Sequence, residues 1–432
     1  MRTKHRPVRL FAVLLTLLLL SGCAKEPETA QTPAVAFQPR LDTSIEQTIT
    51  VISGFSNFEP LNRAATAFKQ YYPNVTVIHE RLDNYDRNAV LRVSSDPTVA
   101  LFAATVAQLT QQPELLAYAA ELSKEDVDLS GVNPAACKAG YVNGRLMVIP
   151  LWFRFTGMVV NTTLLEREGL TRPTCYDEFV TCCEKLREKG YVPLQGPPQL
   201  AKQFFVSYAN NSLYHHHTRE EYDALASGAA GSAAILNDAF EMALQFGESG
   251  LYTQESLAAY EDDYDQAILR FFEGDVPFMA CTTDTMTGMK DRETKSAAFT
   301  ASPFAYEFSH APLGETAPCA YIGVDYGLAI NDRCAYRELA VEFFRFLYSN
   351  DAMNLMSTVK GAPSAAASPS RTLYKQLISL PEECMTFPWY FDDQLYAIDD
   401  CFADAVGEIL TGRLSTASDA AAHMEALLRA RE

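Results

Sequence analysis

The 432-residue chain holds only two tryptophans and seven histidines, and none of its ten cysteines sits in a Cys-x-x-Cys pair. Without that spacing a zinc ribbon or a thioredoxin-like dithiol has little support. Its glycines never fall into a Gly-x-Gly-x-x-Gly or P-loop pattern, so nucleotide binding is unsupported. No Gly-x-Ser-x-Gly elbow precedes a suitable His and Asp. Cations are scarce: 35 Lys and Arg against 54 Asp and Glu give a net charge of −19. That balance argues against nucleic acid or an anionic membrane surface as partner and favours a neutral or cationic ligand. Beyond position 23 there is no apolar run near 20 residues, so nothing after it should cross a membrane. Paired carboxylates at Asp262-Asp263 and Asp392-Asp393 would suit a glycosidase only with carboxyls roughly 5–10 Å apart across a sugar. The expectation is a protein that is not an enzyme and that uses no cofactor and no metal.

What is present begins at the first residue. Arg2, Lys4, Arg6 and Arg9 precede an apolar run from Leu10 to Leu20, closed by Ser21-Gly22-Cys23. The run is too short to span a bilayer comfortably, and its charge order is that of a secretory signal. The small residues before a cysteine resemble a bacterial lipoprotein signal. The resemblance implies cleavage after Gly22 and acylation of Cys23 with chains such as palmitate, leaving Cys23 as the mature N-terminus. The alternative is an ordinary signal peptide with an incidental cysteine. Loss of the four cations would take the mature charge from −19 to about −23. An apolar content of 48% with 11% aromatics indicates packed globular structure, and the length suffices for two domains.

Residues 24–44 are rich in Pro, Thr, Ala and Gln without periodicity, which reads as a flexible tether. A β-branched strand at Thr48–Ile52, a helix with Leu61, Ala65 and Phe68 at helical spacing, and a strand at Val75–Ile78 form a βαβ unit, and hence a parallel sheet. A helix near 84–95, an apolar segment Val99–Ala104 and a helix near 113–120 continue the alternation. Asn143-Gly144 marks a tight turn, and Met147–Val160 is a long extended stretch. Helices are expected at 163–168, 175–189, 200–213, 219–226, 232–249 and 261–273. Further strands are expected at Val276–Cys281 and Tyr326–Ile330, followed by helices at Tyr336–Ser349, 393–411 and 416–430.

Nine cysteines remain besides Cys23, an odd number. An oxidising compartment permits disulfides, and Cys175 could bridge to Cys182 or Cys183, but buried free thiols are the preferred reading for most of them. Vicinal Cys182 and Cys183 point to different helix faces, poorly placed to share a metal. His215-His216-His217 follows Asn210-Asn211 and reads as a solvated loop rather than a metal tract.

Four segments in order carry a wider likeness: TITVISGF…LNRAATAFKQYYPNVTV, then YVNGRLMVIPLWFRFTGMVVNTTLLEREGLTRPTCYDEFVTCCEKL, then FFEGDVPFMAC, then GVDYGLAINDRCAYRELAVEFFRFLYSNDAMNLMSTVKGAPS. With AVGEILTGRLSTASDAAAHMEALL they cover most of residues 48–430. The chain resembles a family 1 extracellular solute-binding protein, the lipoprotein receptor of an ABC importer related to maltose-type sugar binders. Cys175-Tyr176 departs from the family's frequent Thr-Trp. Thr283-Asp284-Thr285 replaces a frequent Gly-x-Trp whose tryptophan stacks on sugar, which puts the carbohydrate assignment in question.

The resemblance implies an α/β fold of the periplasmic-binding-protein class II type. Two lobes, each with a mixed, largely parallel sheet flanked by helices, would be joined by a hinge. The segments would be a signal peptide 1–22, a tether 23–44, a first lobe 45–156 and 301–350, and a second lobe 157–300 and 351–432. Chain crossings would fall near Phe155–Val160, near Phe299–Phe304 and after Ser349. Ligands in open α/β sheets sit beyond the carboxyl ends of strands. That points to Phe55, Phe58, Trp152, Tyr321 and Tyr326 as flat faces for a sugar, with Phe153 a weaker candidate. Asn57, Glu59, Arg154, Asp284 and Asp325 would bind hydroxyls, and Trp389-Tyr390 is a further aromatic pair. These aromatics could instead pack the lobe cores. The expected partners are a small solute, most simply a sugar, and ABC permease subunits, with the protein a monomer lipid-anchored on the outer side of the membrane. A peptide, a polyamine or another small solute is the alternative ligand, and a surface sensory or interaction module the alternative role.

Overall fold

Thr48 to Ile52 lie in β1 (Gln47–Ser53), whose inward side chains are fully buried, as a β-branched run in a central strand should be. In this computed structural model residues 37–196, 198–250, 264–370, 377, 380–386 and 394–431 are described. Cys23, Asp262-Asp263, Trp389-Tyr390 and Asp392-Asp393 lie outside them. Helix α1 (Glu59–Phe68) returns the chain to β2 (Val75–Arg81), parallel to β1, and α2 (Tyr85–Ser95) leads to β3 (Val99–Ala103) on the other side of β1. The expected βαβ unit is therefore present. An unexpected short helix, α3 (Val106–Gln111), follows, opened by a capping box between Thr105 and Gln108.

Strands β4 (Tyr141–Val142) and β5 (Arg145–Leu146) make the hairpin predicted by Asn143-Gly144. Both turn residues have positive φ, +50° and +74°, as the mirror-image turn requires. The long extended stretch becomes β6 (Ile149–Asn161), thirteen residues of which Arg154 alone is exposed. Helix α4 (Tyr176–Glu188), β7 (Leu194–Gln195), α5 (Pro198–His216) and α6 (Asn237–Glu248) precede β8 (Phe278–Thr282) and α7 (Thr283–Glu293). Then come β9 (Tyr306–His310), β10 (Ala320–Ile330), α8 (Arg337–Leu347), α9 (Asn350–Lys360), β11 (Met385–Thr386), α10 (Gln394–Leu410) and α11 (Ala417–Arg429).

All strands except the hairpin join one mixed sheet with the order β2-β1-β3-β10-β6-β8-β7, β9 adding to β6 and β11 to β10. The flanking pairs β1–β2, β1–β3 and β7–β8 are parallel, whereas β3–β10, β10–β6 and β6–β8 are antiparallel. Two buried clusters lie along it. One gathers Ile52, Val93, Phe102, Leu109 and Ala329; the other gathers Val160, Phe179, Phe204, Phe246, Phe278, Phe402 and Met424. Strands β6 and β10 run from one cluster to the other. The chain was expected to cross back near Phe299–Phe304. Phe299 and Phe304 pack against Phe272 and Tyr306, ring to ring at 5.1–6.4 Å, and the strand that next reaches the first cluster is β10. Helix α9 packs on α1, beside the first cluster rather than the second.

Two smaller expectations need correction. The histidine triplet is not a loop: His215 and His216 close α5, and His215 Nε2 lies 3.1 Å from the Met385 carbonyl. No bridge joins Cys175 to Cys182 or Cys183; the nine cysteines among the described residues are thiols, seven of them buried. No helix among the described residues is long and apolar enough to cross a membrane, and no group of three or more His, Cys, Asp or Glu there could hold a metal.

Candidate functional site

The carboxyl ends of β1, β3 and β8 converge on the middle of β6 and β10, the place where open α/β sheets expose their ligand sites. Here β10 carries a bulge at Asp325, on either side of which Val324 faces Phe153 and Tyr326 faces Trp152. Such an extra residue bends the strand and re-aims its neighbours. The rings of Trp152 and Tyr326 stack with centroids 5.0 Å apart and planes 16° apart, and Phe55 meets Tyr326 edge-on at 5.0 Å. Trp152 and Tyr326 are nearly enclosed, while Phe55 is 45% exposed. One end of an aromatic wall is thus open to solvent.

Two residues along β6 from Trp152, the Arg154 side chain lies over Gly323, with Nε and Nη2 3.7 Å from the place a Cβ would take. It is exposed and has no carboxylate partner among the described residues. Gly327 is needed for a different reason: a Cβ there would meet the Ala104 carbonyl oxygen at 2.8 Å, and the Gly327 carbonyl accepts from the Ala104 N–H at 3.0 Å.

Beside the aromatic wall is a cavity of about 250 Å³ lined by Gly54, Phe55, Tyr85, Asp86, Thr105, Gln108 and Tyr326. Its polar groups are fixed in place. Tyr85 donates to the Ala103 carbonyl at 2.6 Å, and Gln108 Nε2 donates to Asp86 Oδ1 at 3.1 Å. Burial pushes the Tyr85 and Tyr326 phenols well up, so both stay neutral hydrogen-bonding groups.

A larger cavity of about 650 Å³ lies between α7 and the end of α9. Thr283, Met286, Lys290 and Glu293 line one side, Phe304, Tyr306 and Phe308 the back, and Thr358 to Gly361 the other side. Lys360 Nζ sits 6.0 Å from the Trp152 ring centroid, within cation–π range. Burial would raise the Glu293 carboxyl, but hydrogen bonds from Lys290 (2.7 Å) and Tyr306 (2.6 Å) hold it below its usual value.

The structure thus brings Phe55, Trp152, Arg154 and Tyr326 together from the sequence-based set. Asn57, Phe58 and Glu59 turn to the start of α1: Asn57 Oδ1 accepts from the Glu59 N–H, Glu59 pairs with Arg63 at 2.7 Å, and Phe58 stacks on His79. Phe153 is buried against Phe155. Asp284 lies in the first turn of α7 beside Thr283, whose Oγ1 accepts from the Phe155 N–H at 3.2 Å. Tyr321 points away toward α10, donating to Asp399. Asp325 supplies the bulge residue of β10. Tyr85, Thr105, Gln108 and Lys360 were not in that set. Only the Thr-x-x-Gln capping box at 105–108 left a local trace in the sequence.

Comparison with known proteins places the fold. Residues 55–354 match the model of the bacterial extracellular solute-binding protein family. No curated protein sequence matches the chain. Among solved structures, a family 1 extracellular solute-binding protein from Bifidobacterium longum subsp. infantis superposes with a TM-score of 0.69, 16% identity and coverage of 88% of this chain and 98% of its own. RafE from Streptococcus pneumoniae gives 0.67 at 16%, covering 91% and 99%. A probable secreted solute-binding lipoprotein from Streptomyces coelicolor gives 0.70 at 16%, covering 88% and 98%. These structures share the fold, two lobes on a mixed α/β framework. The chain belongs to the bacterial extracellular solute-binding proteins, a family of binding proteins rather than enzymes.

Proposed function

We propose that this protein is a lipid-anchored receptor of an ABC importer that captures a carbohydrate between its lobes and hands it to a permease. The Trp152–Tyr326–Phe55 wall beside the exposed Arg154 guanidinium carries this reading. Flat apolar rings suit the C–H faces of a sugar, and a guanidinium donates to paired hydroxyls. RafE has been solved in complex with raffinose, and a Bacillus licheniformis sugar transporter with stachyose. Both precedents support an oligosaccharide-sized ligand here.

In this reading the first lobe comprises residues 45 to about 150 together with the second half of β10, α8 and α9. The second lobe comprises the remainder from about 157, and the strands β6 and β10 form the hinge. That division moves the second and third boundaries later than the resemblance alone implies. Closure would follow binding because only the closed form contacts ligand from both lobes. Cys23 would carry the acyl anchor, and residues 24–44 the tether.

Calorimetry of purified residues 24–432 tests the ligand class. Raffinose, stachyose and maltose-type sugars are titrated against spermidine and short peptides, with Trp fluorescence as a second readout. Binding to a sugar, weakened by Arg154→Ala, is the expected result. Binding to spermidine or a peptide with no sugar bound overturns it.

A further inference from the structure

We propose that Cys319 and Cys384 form a disulfide that staples the start of β10 to β11. Strand β11 runs parallel to β10 with Ala320 beside Met385 and Tyr321 beside Thr386. Cys319 and Cys384 are the residues immediately before this pair, Cys384 closing the short 3-10 turn Glu382–Cys384. Neighbouring strands lie about 4.8 Å apart, and disulfides join Cα atoms about 4.4–6.8 Å apart, so two residues flanking a strand pair are within bridging reach. Both residues are buried, at 2% and 7% exposure. The Cys384 sulfur is close enough to act electrostatically on the Cys319 thiol. Cys182 and Cys183, by contrast, are successive residues of one helix, and Cys281 is enclosed in β8 between β6 and β7.

The structure holds the pair as thiols, and the family is extracellular, where disulfides form and persist. The oxidant is a protein or small-molecule disulfide of that compartment. The thiolate of one cysteine attacks a sulfur of that disulfide, breaking its S–S bond, making a mixed disulfide and releasing one partner thiolate. The second cysteine, also as thiolate, attacks the mixed disulfide at the first cysteine's sulfur and expels the other partner thiolate. Two protons leave the cysteines, two electrons pass to the partner, and one Cys319–Cys384 bond remains.

The bond would close the chain from 320 to 383 and fix β11 just before the segment that holds Trp389 and Tyr390. It would also pin the end of β10 from which Tyr321 reaches Asp399. The inference rests on extracellular location and strand register, so it stands whether the ligand is a sugar or not.

The test uses the full chain exported to an oxidising compartment, with a second sample incubated with oxidised glutathione. Both are denatured and alkylated with iodoacetamide before and after reduction, then mapped by peptide mass. The proposal expects Cys319 and Cys384 to resist alkylation until reduced and their peptides to be recovered joined. In Cys384→Ser, Cys319 should alkylate without reduction. Reduction should lower the unfolding midpoint of the native chain by at least about 3 °C and leave that of the Cys319→Ser/Cys384→Ser variant unchanged. Alkylation of both cysteines without reduction in both samples overturns it, as does recovery of either one joined to a different cysteine.

Discussion

Tyr321 donates its hydroxyl to Asp399 Oδ2 at 2.8 Å, tying the strand β10, which runs between both buried clusters, to a carboxyl on α10 that Asn210 Nδ2 holds from α5 at 2.7 Å. The carboxyl is 7% exposed. Burial raises its pKa from 3.8 to about 7, only partly countered by the bonds from Asn210 and Tyr321 and reinforced by neighbouring Asp400. The folded chain therefore prefers Asp399 protonated, while the unfolded chain does not.

The sign of the pH effect follows. A raised folded pKa gives stability that is present below about pH 4 and is lost as pH rises toward 7. The difference across that window is on the order of 4 kcal/mol. Asp399→Asn should remove it, so the variant gains on the native protein between pH 5 and pH 8. Urea unfolding at the two pH values measures the change.

His310 works the other way. Burial against Phe155 and Phe308 lowers its pKa from 6.5 to about 4, despite the bond between its Nε2 and the Leu377 carbonyl. Its contribution is present above pH 6.5 and is lost as pH falls toward 4. In the native chain the two groups partly offset one another over pH 4–7. In Asp399→Asn that offset is gone, and stability should fall steadily on acidification over that range, with His79, which burial also lowers to about 4, adding to the fall; melting temperatures in a pH series read it.

Trp152→Ala and Arg154→Ala should separate packing from recognition. Removing the enclosed Trp152 ring should cost about 3–5 kcal/mol of stability as well as ligand affinity. The exposed Arg154 should change stability by no more than about 0.5 kcal/mol while weakening ligand binding by roughly tenfold or more. Chemical unfolding and calorimetry on each variant give both numbers.

Glu342 is the buried charge on which the N-terminal end of the described core depends. It accepts from Tyr72 at 2.5 Å and from the Arg40 N–H at 2.8 Å, and it faces Arg345 at 2.9–3.0 Å. Glu342→Ala removes the carboxylate that faces the Arg345 guanidinium, at 7% exposure, and should cost about 3–5 kcal/mol in urea unfolding.

Local chemistry made much of the framework readable. The β-branched run at 48–52, the helical spacing of Leu61, Ala65 and Phe68, and the Asn143-Gly144 turn each specify their element without help from distant residues. The two long strands β6 and β10 were only half readable. Met147–Val160 is a mostly apolar stretch, interrupted by Arg154, Thr156 and Gly157, and became β6, whereas Ala320–Ile330 contains Gly323, Asp325 and Gly327, which hid its first half. Those residues make sense only once Arg154, the bulge and the Ala104 carbonyl stand opposite them. The site suffers from the same limit: Trp152 and Tyr326 are far apart in the chain, and no local pattern announces their stacking. Asn57 and Glu59 show the same limit, because a turn that leads into a helix has the same composition as a turn that meets a ligand.

The thirteen residues of β6 have a mechanical consequence. One half of the strand is hydrogen-bonded to β10 and the other to β8 and β9, so neither buried cluster can melt without stripping pairing partners from a strand the other still needs. Two lobes that, in the proposed function, would move apart as a ligand leaves are, for unfolding, a single cooperative unit. Heat should take them down in one transition, and a cut in β6 should disable both halves at once.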